Sequence, residues 1–173
     1  VPTVWSRVCA DTSAARALAS TRLLVSGSAP LPVPVFDDLI ALTGHAPVER
    51  YGMTETLITL SIRADGERRR GWVGLPIRGV ETRHIADDGG PAPRDGETVG
   101  HLQVRGPTLF DGYLSGGRDS DFVDGWFVTG DSVVVDDGGF HRIVGRTSID
   151  IIKTGGYKVG AGEVEAAILG HPG

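Results

Sequence analysis

Three short runs of this chain hold side chains suited to work on a phosphorylated ligand. In ERYGMTET, from Glu49, Gly52 lets backbone approach a ligand closely, Thr54 offers a hydroxyl donor and Glu55 a hard oxygen of the kind Mg²⁺ takes. In WFVTGDSV, from Trp126, Asp131 follows Gly130 at an expected bend between two strands, and a carboxylate, which only accepts, fits a vicinal diol. In SGSAPLP, the small residues Ser26, Gly27, Ser28 and Ala29 leave a flat backbone wall. Each run also has a plainer reading. YGMTE suits a tight turn after a strand, with Thr54 and Glu55 capping the next element. SGSAPLP suits a strand-to-helix turn with Pro30 and Pro32 near the helix start, and Thr129-Gly130-Asp131 an ordinary turn. Arg146 reads equally as a surface ion pair, usually worth little. The five His show no metal-ligand spacing, and Ser28 lies in GSAP, not in a nucleophile elbow. Arg68 to Arg70, beside Asp65 and Glu67, read as a solvated loop.

The elements that would carry these runs can be read from periodicity and punctuation. DTSAARALAS, from Asp11, predicts an Ala-rich helix capped by Asp11, Thr12 or Ser13, and RLLVS a short strand. Val35, Phe36, Leu39, Ile40 and Thr43 mark one helical face that Gly44 is placed to end. A second strand near PVER completes a βαβ unit of a mostly parallel sheet, with loops at 26–30 and 51–55 beyond the strand ends, where ligands of such sheets bind. Beyond residue 70 the texture turns to short β-rich runs: GVETRHI, VGHLQVRG, FVTGDSVVV and FHRIVG, with DDGG turns at 87–90 and 136–139. They predict an antiparallel or barrel-like subdomain. After Gly145 come a polar stretch, DIIK, a glycine-rich loop and a helix from about Gly162, with Glu163 and Glu165 in its first turn and Gly170, His171 and Pro172 to end it. One strand and one helix bury no core alone, so a domain is expected to begin near Ser148 and continue past these residues.

Composition narrows the class. A chain of 173 residues with 40% hydrophobic and 23% charged residues suits one folded domain. Seventeen Lys and Arg against 22 Asp and Glu give a net charge of −5, so no global basic field recruits nucleic acid or acidic lipid. A polyanion must be held locally. The single cysteine, Cys9, forms no internal disulfide and reads as a small buried hydrophobe. No apolar run approaches the roughly 20 residues needed to span a bilayer, and VPTVWSRV is not a signal peptide. A cytoplasmic address is expected.

In order and spacing, ERYGMTET, WFVTGDSV and GRTSIDIIKTGGYKVGAGEVE from Gly145 resemble the acyl-adenylate-forming enzymes, with SGSAPLP and GGYKVGAGEVE most similar to malonyl- and methylmalonyl-CoA synthetases. The resemblance implies an α/β fold: residues 1–147 as the C-terminal part of the large AMP-binding domain (about 1–70 a βαβ portion, about 71–147 a β-rich barrel-like subdomain), and 148–173 as a hinge and the start of a small α+β domain. It implies ATP-dependent activation of a carboxylic acid to acyl-AMP, release of pyrophosphate and transfer to coenzyme A, with Mg²⁺ as cofactor. By resemblance, Ser28, Ala29 and Pro30 wall the adenine and Tyr51 stacks on it. Gly52 and Met53 border the acyl pocket, Thr54 contacts the α-phosphate, Glu55 holds magnesium, and Asp131 and Arg146 hold the ribose. Ser148, Ile149 and Asp150 are the hinge residues, Asp150 foremost. The loop of Gly155 and Gly156, with Lys153, Tyr157 and Lys158, would face CoA at the thioester step. Arg50 is one residue that could meet the distal carboxylate of a dicarboxylic acid.

One position departs from the family pattern, Val128 standing where a basic residue is common. The family's phosphate-gripping lysine loop and its C-terminal lysine do not occur among these residues, so the expectation is an interior stretch of a longer ligase that does not catalyse alone. The competing readings are an adenylation domain or ligase for another acid, and a non-catalytic module binding AMP or an acyl-adenylate.

Overall fold

The computed structural model describes residues 1–114, 121–155, 157–169 and 171. Two helices open the chain, α1 (Pro2–Ala10) and α2 (Thr12–Ala17). Asp11 caps the second: its Oδ1 accepts the N–H groups of Ser13 at 3.0 Å and Ala14 at 3.1 Å. The first helix had no reading in the sequence. A parallel pair comes next, β1 (Val25–Ser26) and β2 (Val48–Met53), joined by α3 (Val33–Thr43). The expected βαβ unit is therefore present, and Gly44, at φ 75°, ends α3 with its N–H on the Ile40 carbonyl at 2.9 Å. Phe36 and Leu39 join Leu24 and Leu31 in a core against which Trp5, Cys9 and Val35 pack, whereas Ile40, on the expected face, is exposed.

The sheet is not mostly parallel. β2 turns back through a hairpin into β3 (Leu57–Ser61), and β4 (Leu75–Pro76) pairs with β3, both antiparallel, in the order β1-β2-β3-β4. YGM is also strand, not loop, and the turn falls at 54–56. This hairpin is tight enough to need its glycine: a Cβ on Gly52 would lie 1.8 Å from the Leu57 carbonyl oxygen, and Leu57 itself takes φ 55°. Gly52 thus serves close approach to the neighbouring strand as well as to the cleft.

The second sheet is antiparallel, in the order β5 (Glu81–Ile85), β6 (Gly100–Arg105), β8 (Trp126–Val135), β7 (Phe122–Val123), with β9 (His141–Arg146) also on β8. The DDGG turns fall where expected, with Gly89 at φ 85° and Gly139 at φ 82°. Leu60 and Val73 from the first part of the chain and Val80, Leu102, Val104, Val133 and Val135 from the second form one core, so the two sheets are locked together. Last come the hairpin β10 (Ile151–Thr154) and β11 (Tyr157–Gly160), then α4 (Ala161–Leu169). The α4 N-terminus matches the expected helix start within a residue. The residues expected to stop it, Gly170 and Pro172, lie outside the described residues.

Candidate functional site

Where the two sheets meet α4 there is a cleft of about 400 Å³, within the range of small-molecule pockets. One wall is Ser28, Ala29 and Pro30, from the loop after β1. Arg50, Tyr51, Gly52 and Met53 of β2 form the floor, and Asp131, Gly145 and Arg146 of β8 and β9 face them. Asp150, Ala161, Gly162 and Glu165 close the end. Ten of the predicted residues therefore converge from separate parts of the chain: Ser28, Ala29, Pro30, Arg50, Tyr51, Gly52, Met53, Asp131, Arg146 and Asp150.

Asp131 sits inside the ten-residue strand β8, not at a bend between two strands. Gly130, at φ 75°, and the register shift after Ser132 bend the strand locally and aim the side chain into the cleft. Its register partner is Arg146, whose Nε lies 3.1 Å from Oδ1, while Oδ2 accepts the Tyr51 hydroxyl. Burial pushes the Asp131 carboxyl up, against the Tyr51 hydroxyl and the Arg146 charge, which favour ionisation. The Tyr51 phenol is pushed up by its own burial first and by the Asp131 charge next. A carboxylate has about four lone-pair sites, so both oxygens still have room for a diol. Arg146 is further fixed by Nη1 on the Thr129 carbonyl at 3.3 Å and by its own N–H on the Asp150 carboxylate at 2.8 Å. Gly145 permits that second contact, because a Cβ there would lie 2.6 Å from Asp150 Cβ.

Thr54 and Glu55 lie at the turn beyond β2 and do not line the cleft. Glu55 is half-buried, and its Oε1 accepts the Tyr113 hydroxyl at 2.6 Å. Among the described residues Oε2 has no hydrogen-bond partner, so a hard oxygen is available. Magnesium commonly takes one or two carboxylates and completes its shell with substrate phosphates and water, and this turn fits that donor set. Among the described residues no three His, Cys, Asp or Glu side chains gather into a protein-only metal cage.

The expected CoA-facing residues are apart from the cleft. Lys153, Gly155 and Tyr157 are exposed on the β10–β11 hairpin, and Gly156 lies outside the described residues. Lys158 is turned away, its ammonium on Asp87, which also receives His101 Nε2 at 2.9 Å; Lys158 foremost and His101 next hold the Asp87 carboxyl below its usual range. Ser148 and Ile149 are exposed in a turn spanning 147–150. Asp150 joins three elements there, its carboxylate holding β9 and its carbonyl accepting the Ala161 N–H of α4 at 2.7 Å.

Sequence reasoning missed Glu49, Gly71 and the α4 residues Ala161, Gly162 and Glu165 as cleft residues. Glu49 carried a signal: an acid in a short strand, between Val48 and Arg50, is either an edge or a buried carboxyl with partners. The α4 residues carried none, since only the fold of the hairpin before them brings them to Asp131.

The family model of the AMP-binding enzymes matches residues 1–114, and the chain belongs to that family. A probable CoA ligase of Humulus lupulus is 43% identical over 99% of this chain, and a mitochondrial malonate–CoA ligase of Xenopus laevis 43% identical over 87% of it. This chain spans 30% of each of those relatives. A solved malonyl-CoA ligase, a ternary product complex with methylmalonyl-CoA and AMP bound, superposes at TM-score 0.78 with 51% identity, over 99% of this chain and 38% of its own. The mixed α/β architecture is that of the C-terminal region of the adenylate-forming enzymes.

Proposed function

We propose that the protein, at its natural length, is an acid–CoA ligase that joins malonate or methylmalonate to ATP and then to coenzyme A. A carboxylate oxygen of the acid forms a bond to the α-phosphorus while the bond to pyrophosphate breaks. The CoA sulfur then attacks the acyl carbon and AMP leaves with the bonding pair. In this reading Asp131 and Arg146 hold the ribose, and Tyr51 and the wall of Ser28, Ala29 and Pro30 hold the adenine. Thr54 donates to the α-phosphate. Magnesium, held by Glu55 when bound, would offset charge on the phosphates. Nothing in the chain's net charge favours an anion, so local placement must do so. The domain division at residue 147, with a small domain turning about Ser148 to Asp150, belongs to the same proposal, as does a cytoplasmic site of action.

One observation carries the choice of acid. Arg50 lines the cleft, packed across Gly27, and among the described residues its guanidinium has no carboxylate partner. A guanidinium with no carboxylate partner beside the acyl pocket suits the distal carboxylate of a dicarboxylic acid, and the Xenopus laevis relative named for malonate supports that reading. Substituting Arg50→Met should raise KM for malonate about tenfold or more, the worth of one charged hydrogen bond, and change KM for propionate little. Equal effects on both acids would remove Arg50 from the acyl site.

A further inference from the structure

Glu49 is 3% exposed on β2, with Ser26 of β1 as its register partner. Its carboxylate bridges two backbone donors 40 residues apart: Oε2 accepts the Leu31 N–H at 3.4 Å and Oε1 the Gly71 N–H at 3.0 Å. Leu31 ends the loop that carries Ser28, Ala29 and Pro30, and Gly71 lines another part of the same cleft. That loop holds Ser28 at φ 74°, a conformation costly for a residue with a Cβ, which persists only where the surroundings over-determine it. We infer that Glu49 is a positioning residue, a carboxylate clamp that fixes the wall of Ser28, Ala29 and Pro30 against the Gly71 side and so sets the adenine end of the cleft. The inference rests on the proposed nucleotide role of that wall.

Only the ionised form of Glu49 offers both oxygens as free acceptors to the two N–H groups. Burial pushes its carboxyl up to about 7, with the Gly71 and Leu31 N–H groups opposing. None of the charged groups in the cleft, Arg50, Asp131, Arg146, Asp150 and Glu165, contributes to that shift, and Arg70, next to the Gly71 anchor, is held by Asp37 of α3. The clamp should therefore tighten as the pH rises through neutrality.

The test is adenosine binding to the natural-length protein by calorimetry at pH 6 and pH 8, adenosine having no phosphate to titrate. Wild type should bind several-fold tighter at pH 8. Glu49→Gln, whose amide NH₂ opposes one of the two donors, should bind about tenfold more weakly at pH 8, a loss of one charge-assisted bond, and show no gain with pH. Glu49→Asp keeps the charge on a shorter stem and should retain the pH dependence with intermediate affinity, which also serves if the Gln protein does not fold. A pH rise that persists in Glu49→Gln would assign the effect to Asp131 and overturn the clamp, as would wild-type affinity in either variant. Wild type that binds neither adenosine nor AMP would overturn the nucleotide reading, and the clamp with it.

Discussion

At the scale of residues, the proposal separates binding from chemistry. Asp131 is buried and already held by Tyr51 and Arg146, so its geometry is set before any ligand arrives. Glu55 stands at a partly exposed turn, where among the described residues only its Oε1 is hydrogen-bonded. Asp131→Ala should weaken ATP and AMP alike by about tenfold or more, whereas Glu55→Ala should depress turnover and leave AMP affinity near wild type. Calorimetry with AMP beside initial rates with ATP checks both, and unchanged AMP affinity in a folded Asp131→Ala protein would contradict the ribose assignment. Asp131, Tyr51 and Gly52 were legible because motif order singles them out. Glu49 was not, because its role depends on Leu31 and Gly71, donors that no local spacing brings to it. The structure adds to the sequence a second reason for Gly52, since the neighbouring Leu57 carbonyl leaves no room for a Cβ.

At the scale of elements, the turn at 147–150 is where the proposed small domain would pivot. Asp150 carries contacts to both sides: its carboxylate and N–H engage Arg146, and its carbonyl engages Ala161. A rotation there must keep the first set and break the second, and with it the Lys158–Asp87 and Arg142–Glu163 ion pairs that tie β11 and α4 to the second sheet and its turns. Asp150→Pro fixes one dihedral, restricts its predecessor and removes the N–H donated to Arg146. If Asp150 is in the hinge, acyl-AMP formation, measured by pyrophosphate exchange, should survive better than thioester formation from supplied acyl-AMP. Equal loss of both would indicate misfolding, and loss of neither would place the pivot elsewhere. Among the elements, α3, β5, β6, β8, β9 and α4 were readable from apolar period and Gly or Pro punctuation. β3 was not, because LITLS follows β2 across a three-residue turn that is itself the end of ERYGMTET, and nothing local distinguishes a continuing loop from a hairpin. That hairpin is what made the expected parallel sheet mostly antiparallel.

At the scale of the whole molecule, two buried groups give opposed pH dependences of stability. Burial depresses His141 to about 4, with its ring neutral between the Gly139 carbonyl at 2.8 Å and Thr82 Oγ1 at 3.1 Å. As the pH falls from 6.5 towards 4 the unfolded chain takes a proton that the folded one refuses, and stability drops by about 3 kcal/mol. Glu49 acts in reverse: from 4.5 to about 7 the folded state keeps a proton that the unfolded one has lost, so stability drops by about 3 kcal/mol as the pH rises. Between 4.5 and 6.5 the two slopes cancel. Denaturant melts across that range should show Glu49→Gln losing stability more steeply than wild type on acidification, and parallel curves would contradict the burial assigned to Glu49. The shared core of Leu60, Val73, Leu102 and Val133 makes such melts report on both sheets together. The central claim, adenylation of a dicarboxylic acid before thioester formation, is tested most directly by the nucleotide product. With malonate, ATP, magnesium and CoA, the natural-length protein should yield malonyl-CoA with one AMP and one pyrophosphate per turnover, whereas ADP and phosphate would mean that a different bond of ATP is broken and would contradict the account.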